Sequence, residues 1–203
     1  MKVSYCIYGA SGHGKVIIEI LENSGKKVNL LYDDDVNKTR LLDYNVNHDK
    51  QVFILPEIRW IVGIGDNVIR KKIVENNRLN YGVAIHSSSQ ISKRTQIGIG
   101  SVVMAGVCIN SSTIIGEHTI VNTSTSIDHD CIIENYVHIS PNATLCGGVS
   151  VGEGTHIGAG AVVIPGIKIG KWAKIGAGSV IIRDVPENAT VVGNPGRMIN
   201  RAK

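Results

Sequence analysis

Aromatic residues are scarce: six Tyr, two Trp and one Phe make up 4% of 203 residues. With 43% of the chain hydrophobic, the core must be largely aliphatic, and the abundance of Gly, Val and Ile points to something repetitive. Paired cysteines are lacking too. Cys6, Cys108, Cys131 and Cys146 show no CxxC spacing and too low a density for a disulfide scaffold, so reduced thiols without a catalytic part are expected. No clustered Lys/Arg run occurs; 21 basic and 17 acidic side chains, net +4, are spread along the chain, which argues against nucleic acid as a partner. Nor does any apolar stretch approach the roughly 20 residues that cross a bilayer. The start, MKVSYCIYGASGHG, turns Gly-rich where a signal peptide would be apolar, and a cytoplasmic protein without membrane insertion is expected.

What is present falls into two parts. Residues 3–8 carry a strand pattern, GASGHGK a turn, VIIEILENSG a helix stopped by Gly25, and KVNLLYDDD a second strand ending in acids. After a polar stretch, RWIVGIGDN has the pattern of a buried strand and NVIRKKIVENNRL that of an amphipathic helix. A small α/β domain with a Rossmann-like parallel sheet is predicted over residues 1–83, with residues 81–90 as the junction to a second domain, residues 84–203.

The second part has a period of six. Every sixth residue from Ile91 to Ile181 is aliphatic, at all sixteen positions, and the residue four places further on is small or β-branched each time. Neither the 3.6-residue period of a helix nor the two-residue period of a strand produces this. A three-sided β-solenoid does, with one short strand per side, two inward columns and coils about 4.8 Å apart. Gly in the second place of the hexad (Gly98, Gly116, Gly152, Gly158, Gly170, Gly176) is expected at the corners, where the chain must turn.

This unbroken repeat over residues 91–186 resembles the hexapeptide acyltransferases, and ATVVGNPGRMI, residues 189–199, is similar to their closing segment. YGASGHGK followed by YDDD narrows the likeness to the nucleotide-sugar acyltransferases of the bacillosamine N-acetyltransferase and sialic acid O-acetyltransferase group. The resemblance implies an all-β left-handed parallel β-helix, against the usual right-handed rule for crossovers. It also implies a homotrimer with active sites between subunits, acetyl-CoA as cosubstrate in the groove between neighbouring β-helices, no metal, and a nucleotide-sugar acceptor.

A solenoid's outward residues have no packing duty, so polar ones serve either solubility or chemistry. His129 falls in the third place of its hexad, facing out between Asp128 and Asp130. Its imidazole titrates near neutral pH, and an adjacent carboxylate can orient the ring and stabilise its charged form, as a general base requires. The resemblance places the base in the matching segment VNTSTSIDHDC, with Asp128 as the supporting carboxylate and Asp130 as the alternative. His138 occupies a sixth place, and steps of eighteen residues lead from it to His156 and Lys174. Such an edge is either incidentally basic or a track for an anionic ligand. The resemblance favours the track: His138 matches the residue touching the acetyl carbonyl, Gly147 an amide donor near the thioester. His156 and Lys174 continue the cofactor row. Lys168, Lys171, Arg183 and Arg197 are further candidates for the CoA phosphates.

Gly9 to Lys15 spells G-x-x-x-x-G-K, but Val16 stands where a phosphate-binding NTPase loop needs Ser or Thr, and the G-x-G-x-x-G order is missing. What remains is a Gly-rich turn that lets amides and a helix N-terminus approach a phosphate, or simply a tight turn with no ligand. In the resembled group the loop, here Gly9, Ser11, Gly12, His13 and Gly14, binds the diphosphate, with His13 near the sugar. Asp33 and Asp34 match acids near base and ribose, Gly65 borders the pocket, and Asn122 joins the substrate residues. The predicted function is acetyl-CoA-dependent N-acetylation of a UDP- or dTDP-linked amino sugar, a 4-amino-4,6-dideoxyhexose, in surface-glycan precursor synthesis. A sialic-acid-type O-acetyltransferase is the alternative. A carbonic-anhydrase-like zinc lyase would need three converging imidazoles from His118, His129, His138 and His156, whose hexad places do not match such a set. A non-catalytic solenoid would leave the Gly-rich loop and the Asp-His-Asp placement without purpose.

Overall fold

A computed structural model of the chain describes residues 4–54 and 57–200. Val3, the first residue of the predicted opening strand, lies outside the described residues. The N-terminal α/β region comprises β1 (Ser4–Tyr8), α1 (Gly12–Asn23), β2 (Lys27–Tyr32), β3 (Arg40–Leu41), β4 (Tyr44–Asn47), β5 (Ile58–Val62) and α2 (Asn67–Asn76). The sheet order is β3-β4-β2-β1-β5, parallel except for the β3/β4 hairpin. Alternation along β1 explains the two helix layers. Tyr5 and Ile7 pack with Ile17, Ile18 and Leu21 of α1. Cys6 and Tyr8 join Tyr32, Trp60 and the Ile73 and Val74 side chains of α2 on the other face.

Two elements differ from the sequence expectation. The polar stretch after β2 holds the short hairpin, whose strands are too brief and too polar to show a period. Helix α1 begins inside the Gly-rich turn, where Lys15 N–H donates to Ser11 C=O at 3.1 Å, so the glycines form its first turn.

From Ala84 onward the chain is a parallel β-solenoid whose two-residue strands pair with those eighteen residues away, giving three flat sheets. The first side runs through Cys108–Ile109, Ser126–Ile127 and Thr144–Leu145, the second through Ile114–Ile115 and Ile132–Ile133, the third through Ala84–Ile85, Ile120–Val121, His138–Ile139 and Lys174–Ile175. Both predicted inward columns form one core, from Val103 and Val107 down to Ile181 and Val185. The winding is that of a left-handed parallel β-helix. The solenoid's first strand precedes Ile91 by a full hexad and lies within the expected junction.

The second-place glycines have a different reason from the one expected. Their backbone is ordinary, but a Cβ on Gly98 would lie 2.6 Å from the backbone of Gly116 and Glu117, and one on Gly158 2.5 Å from Ala177 N. Close stacking of coils excludes a side chain there. The left-handed turn residue sits two places later: Gly100, Gly148 and Gly160, but also Ser112, His118, Asp130, Tyr136, Asn142 and Trp172, all with φ between +52° and +74°.

The outward column of the third side reads Ala84, Val102, Ile120, His138, His156, Lys174. Its apolar upper half is buried under β1 and α1, and its polar lower half emerges beside the N-terminus of α2. The packing of β1 and α1 on this column therefore gives way at His138, and α2 carries the seam one coil further, where Asn67 Nδ2 donates to the Gly154 and Thr155 carbonyls.

Candidate active site

At the C-terminal ends of β1 and β2 the Gly-rich loop is held from three directions. Gly9 N–H donates to Tyr32 C=O at 2.7 Å, Ala10 N–H to Asp33 Oδ2 at 2.7 Å, and Ser11 Oγ–H to Gly63 C=O at 3.3 Å. Gly9 has φ +115°, and a Cβ on Gly14 would fall 2.5 Å from Gly9 O, so both are fixed by backbone geometry. Gly12 faces open space instead.

The two aspartates have separate roles. Asp33 is buried; burial raises its pKa, but amide donors from Asp35 and Ala10 and the Lys38 ammonium at 2.9 Å more than offset that and hold it below the usual carboxylate range. It braces the loop. Asp34 is exposed and accepts hydrogen bonds from Tyr8 and Tyr32, presenting a carboxylate at the C-terminal end of β2.

Further along the seam the structure brings His13, Gly65, Asn122 and His138 together. His138 Nδ1 lies 3.3 Å from Gly65 O and its Nε2 3.1 Å from Asn122 Nδ2. Burial, then the neighbouring His156, push its pKa down to about 3. The His138 and His156 rings stack at 4.9 Å, and His156 Nε2 meets Ser140 Oγ at 2.8 Å. Burial also lowers His156, and it lowers His13 to about 4; His13 Nε2 is buried with no hydrogen-bond partner among the described residues. A cavity of about 400 Å³ continues from His138 past His156 to Lys174, walled by Trp172 and by residues 65–68.

The second cluster stands on another corner. His129 is exposed, with Nδ1 2.7 Å from Asp130 Oδ2. That hydrogen bond, then the charge of Asp128, raises its pKa. Asp128 does not touch the ring. Its carboxylate takes the amide of Asn110, then the backbone N–H of His129, and these hold it low. Of the two aspartates flanking His129, the structure pairs Asp130 with the imidazole, and the left-handed backbone of Asp130, φ +58°, turns its carboxylate back toward the ring. Gly147 lies one coil below: a Cβ there would be 2.7 Å from His129 Cε1, so the ring rests on bare backbone. The Gly147 N–H has no acceptor among the described residues. Along the chain, the whole Ile132–Ile133 side separates this corner from His138.

The remaining cations scatter. Lys171 pairs with Glu134 at 3.8 Å, Lys168 lies on the second side, and Arg183 and Arg197 line a cavity under the last coil. His118 is buried between Tyr81 and Tyr136, and among the described residues no group of three His, Cys, Asp or Glu side chains is placed to hold a metal ion. Sequence reasoning missed Arg70 and Asn67 of α2, both buried in the seam. Their only signal is an Asn and an Arg one helical turn apart within an otherwise amphipathic pattern.

Residues 5–77 match the PglD N-terminal domain and residues 148–183 the bacterial transferase hexapeptide repeat. The UDP-N-acetylbacillosamine N-acetyltransferase of Bacillus subtilis is 40% identical over 49% of this chain, a match spanning half of that relative's length. The crystal structure of the perosamine N-acetyltransferase PerB from Caulobacter crescentus, in complex with CoA and GDP-perosamine, shares 38% identity across 97% of each chain with a TM-score of 0.90. The chain belongs to the hexapeptide-repeat sugar N-acetyltransferases. The acetyltransferase domain of PglB from Neisseria gonorrhoeae, in complex with acetyl coenzyme A, is 33% identical over 98% of this N-acetyltransferase and 100% of that chain, TM-score 0.91. In this N-acetyltransferase the loop cluster lies wholly within the PglD-like match, while His129 and His138 precede the matched repeats.

Proposed function

We propose that the protein transfers the acetyl group of acetyl-CoA to the amino group of a nucleoside-diphosphate-linked amino sugar, a 4-amino-4,6-dideoxyhexose. The observation that carries this reading is the hydrogen-bonded His129–Asp130 pair seated on the bare amide of Gly147. His129 accepts a proton from the amine as nitrogen attacks the acetyl carbon, Gly147 N–H donates to the oxyanion, and the C–S bond breaks. The imidazolium then returns the proton to the departing CoA thiolate. Asp130 orients the ring and stabilises its charged form. The nucleotide occupies the cleft between the Gly-rich loop and Asp34, and the pantetheine arm follows the His138, His156 and Lys174 row. Relatives bound to CoA, acetyl coenzyme A and GDP-perosamine support both ligand classes.

Because His129 and His138 stand on different corners, each complete site forms between two copies of a homotrimer. The intervening side exposes Ile114 and Ile132, which pair in register as an apolar strip, a surface suited to that contact.

The test is thiol release from acetyl-CoA against UDP-, dTDP- and GDP-linked 4-amino-4,6-dideoxyhexoses, their 3-amino isomers and free sialic acid. Turnover of a 4-amino sugar is expected, reduced on the order of a hundredfold or more in His129→Ala with the fold intact. Activity on sialic acid alone would make the enzyme an O-acetyltransferase, and an unaffected His129→Ala would remove the base.

A further inference from the structure

Arg70 projects from α2 into the seam, 1% exposed, and among the described residues it forms no ion pair with a carboxylate. Its guanidinium is saturated by neutral acceptors. Nε donates to His118 C=O at 2.8 Å, Nη1 to Ile64 and Gly65 C=O at 3.1 and 3.2 Å, and Nη2 to Asn67 Oδ1 and Tyr136 C=O, each at 2.8 Å. A buried cation that feels the charge of Asp66 without pairing with it costs stability that a Met or Leu would not. Its retention calls for a purpose beyond joining the two regions.

The Gly65 carbonyl supplies one. It takes Arg70 Nη1–H and is also the partner of His138 Nδ1. A carbonyl only accepts, so Nδ1 must carry the proton. The other ring nitrogen is fixed independently. Asn122 Oδ1 accepts the Thr123 N–H at 2.8 Å, which turns Asn122 Nδ2 toward His138 Nε2, so Nε2 must offer a lone pair. We propose that Arg70 is a positioning residue that, by holding the Gly65 carbonyl and by its own charge, locks His138 as the neutral Nδ1–H tautomer.

The charged groups around His138 agree. From the solenoid it faces His156, from α1 His13 and from α2 Arg70, while Lys174 and Asp66 face His156. Apart from Asp66, every one is a cation or can become one. The permanent positive charge of Arg70 disfavours a proton on each of the imidazoles His13, His118, His138 and His156. His138 is thereby excluded from acid–base exchange, which leaves that part to His129. The purpose assigned to this lock rests on the proposed acetyl transfer; the tautomer itself does not.

The experiment is long-range ¹H–¹⁵N spectroscopy of the full-length protein labelled at histidine, with His138 assigned through His138→Gln. The unmodified protein should show His138 as the Nδ1–H tautomer, uncharged from about pH 8 down to about pH 5. Arg70→Lys, which keeps the charge and loses the fork, should give mixed tautomers that stay uncharged once Asn122→Ala removes the separate restraint on Nε2. Arg70→Met should raise the His138 midpoint by about one unit or more. A purely structural role would lower the melting temperature of both variants and leave the ring signals unmoved, which overturns the proposal. If Arg70→Met does not fold, the unmodified protein and Arg70→Lys combined with Asn122→Ala decide: an Nε2–H or charged His138 in the first, or an unmixed Nδ1–H tautomer in the second, is equally fatal. These signals need no acceptor sugar, so failure of acetyl transfer would leave this result standing.

Discussion

His129 must be neutral to accept a proton, and the hydrogen bond it donates to Asp130 raises the pKa through which it becomes so. Activity should therefore rise through that pKa as pH increases. Asp130→Asn removes the main cause of the shift, so the acidic limb should move to lower pH while the plateau falls about tenfold, because a neutral amide orients the ring without stabilising imidazolium. Asp128→Asn should move the limb less, since its carboxylate meets only the backbone of His129. Rate profiles of the two variants decide the matter, and an unmoved limb in Asp130→Asn would remove Asp130 from the mechanism. Gly147→Ala is the sharper probe of seating. Its methyl would lie 2.7 to 2.8 Å from His129 Cε1 and Nε2. The imidazole of an exposed residue swings away cheaply, so stability should barely change while transfer drops at least about tenfold. An active Gly147→Ala enzyme would mean the ring works from another position.

At the scale of the element, the hexad gives glycine two distinct duties. Gly158→Ala places a Cβ 2.5 Å from Ala177 N, a backbone atom held by the coil below, and should cost about 1 to 3 kcal/mol in denaturant melts. Gly160→Ala has open space but φ +65°, and should cost about 1 to 2 kcal/mol through strain alone. Asn142→Gly at the equivalent left-handed place should cost least, and an inverted order would refute the assignment of these duties. The period of six was legible because every coil repeats one packing problem, so sixteen aliphatic places speak together. The β3/β4 hairpin was not, since two- and four-residue strands carry no period. The Asp-His-Asp placement was legible as an outward imidazole beside a carboxylate, yet choosing Asp130 over Asp128 as its partner needed the left-handed turn at Asp130, and left-handed places are filled by residues as different as Ser112, Tyr136 and Trp172. Arg70 was hidden for a related reason: its partners are carbonyls, which every residue possesses.

The whole molecule divides its chemistry. Where the third side of the solenoid turns from apolar to basic the packing of β1 and α1 gives way, and the Gly65 carbonyl and the His138 row line one cavity beside α2. His129 with Asp130 and Gly147 forms a separate surface, across the side that exposes Ile114 and Ile132. Two copies joined over that apolar strip can face one surface with the other. The consequence is measurable by mixing two inactive variants. His129→Ala and His138→Ala, each alone, lack one half of every site. Co-expressed as random mixed trimers, one subunit supplies an intact His129 and its neighbour an intact His138 in about a quarter of the sites, so activity should recover to about a quarter of normal. Recovery should vanish when the two variants are purified separately and mixed without subunit exchange. Were both histidines used from one chain, no mixture would regain activity, and the division of the site between subunits would be wrong.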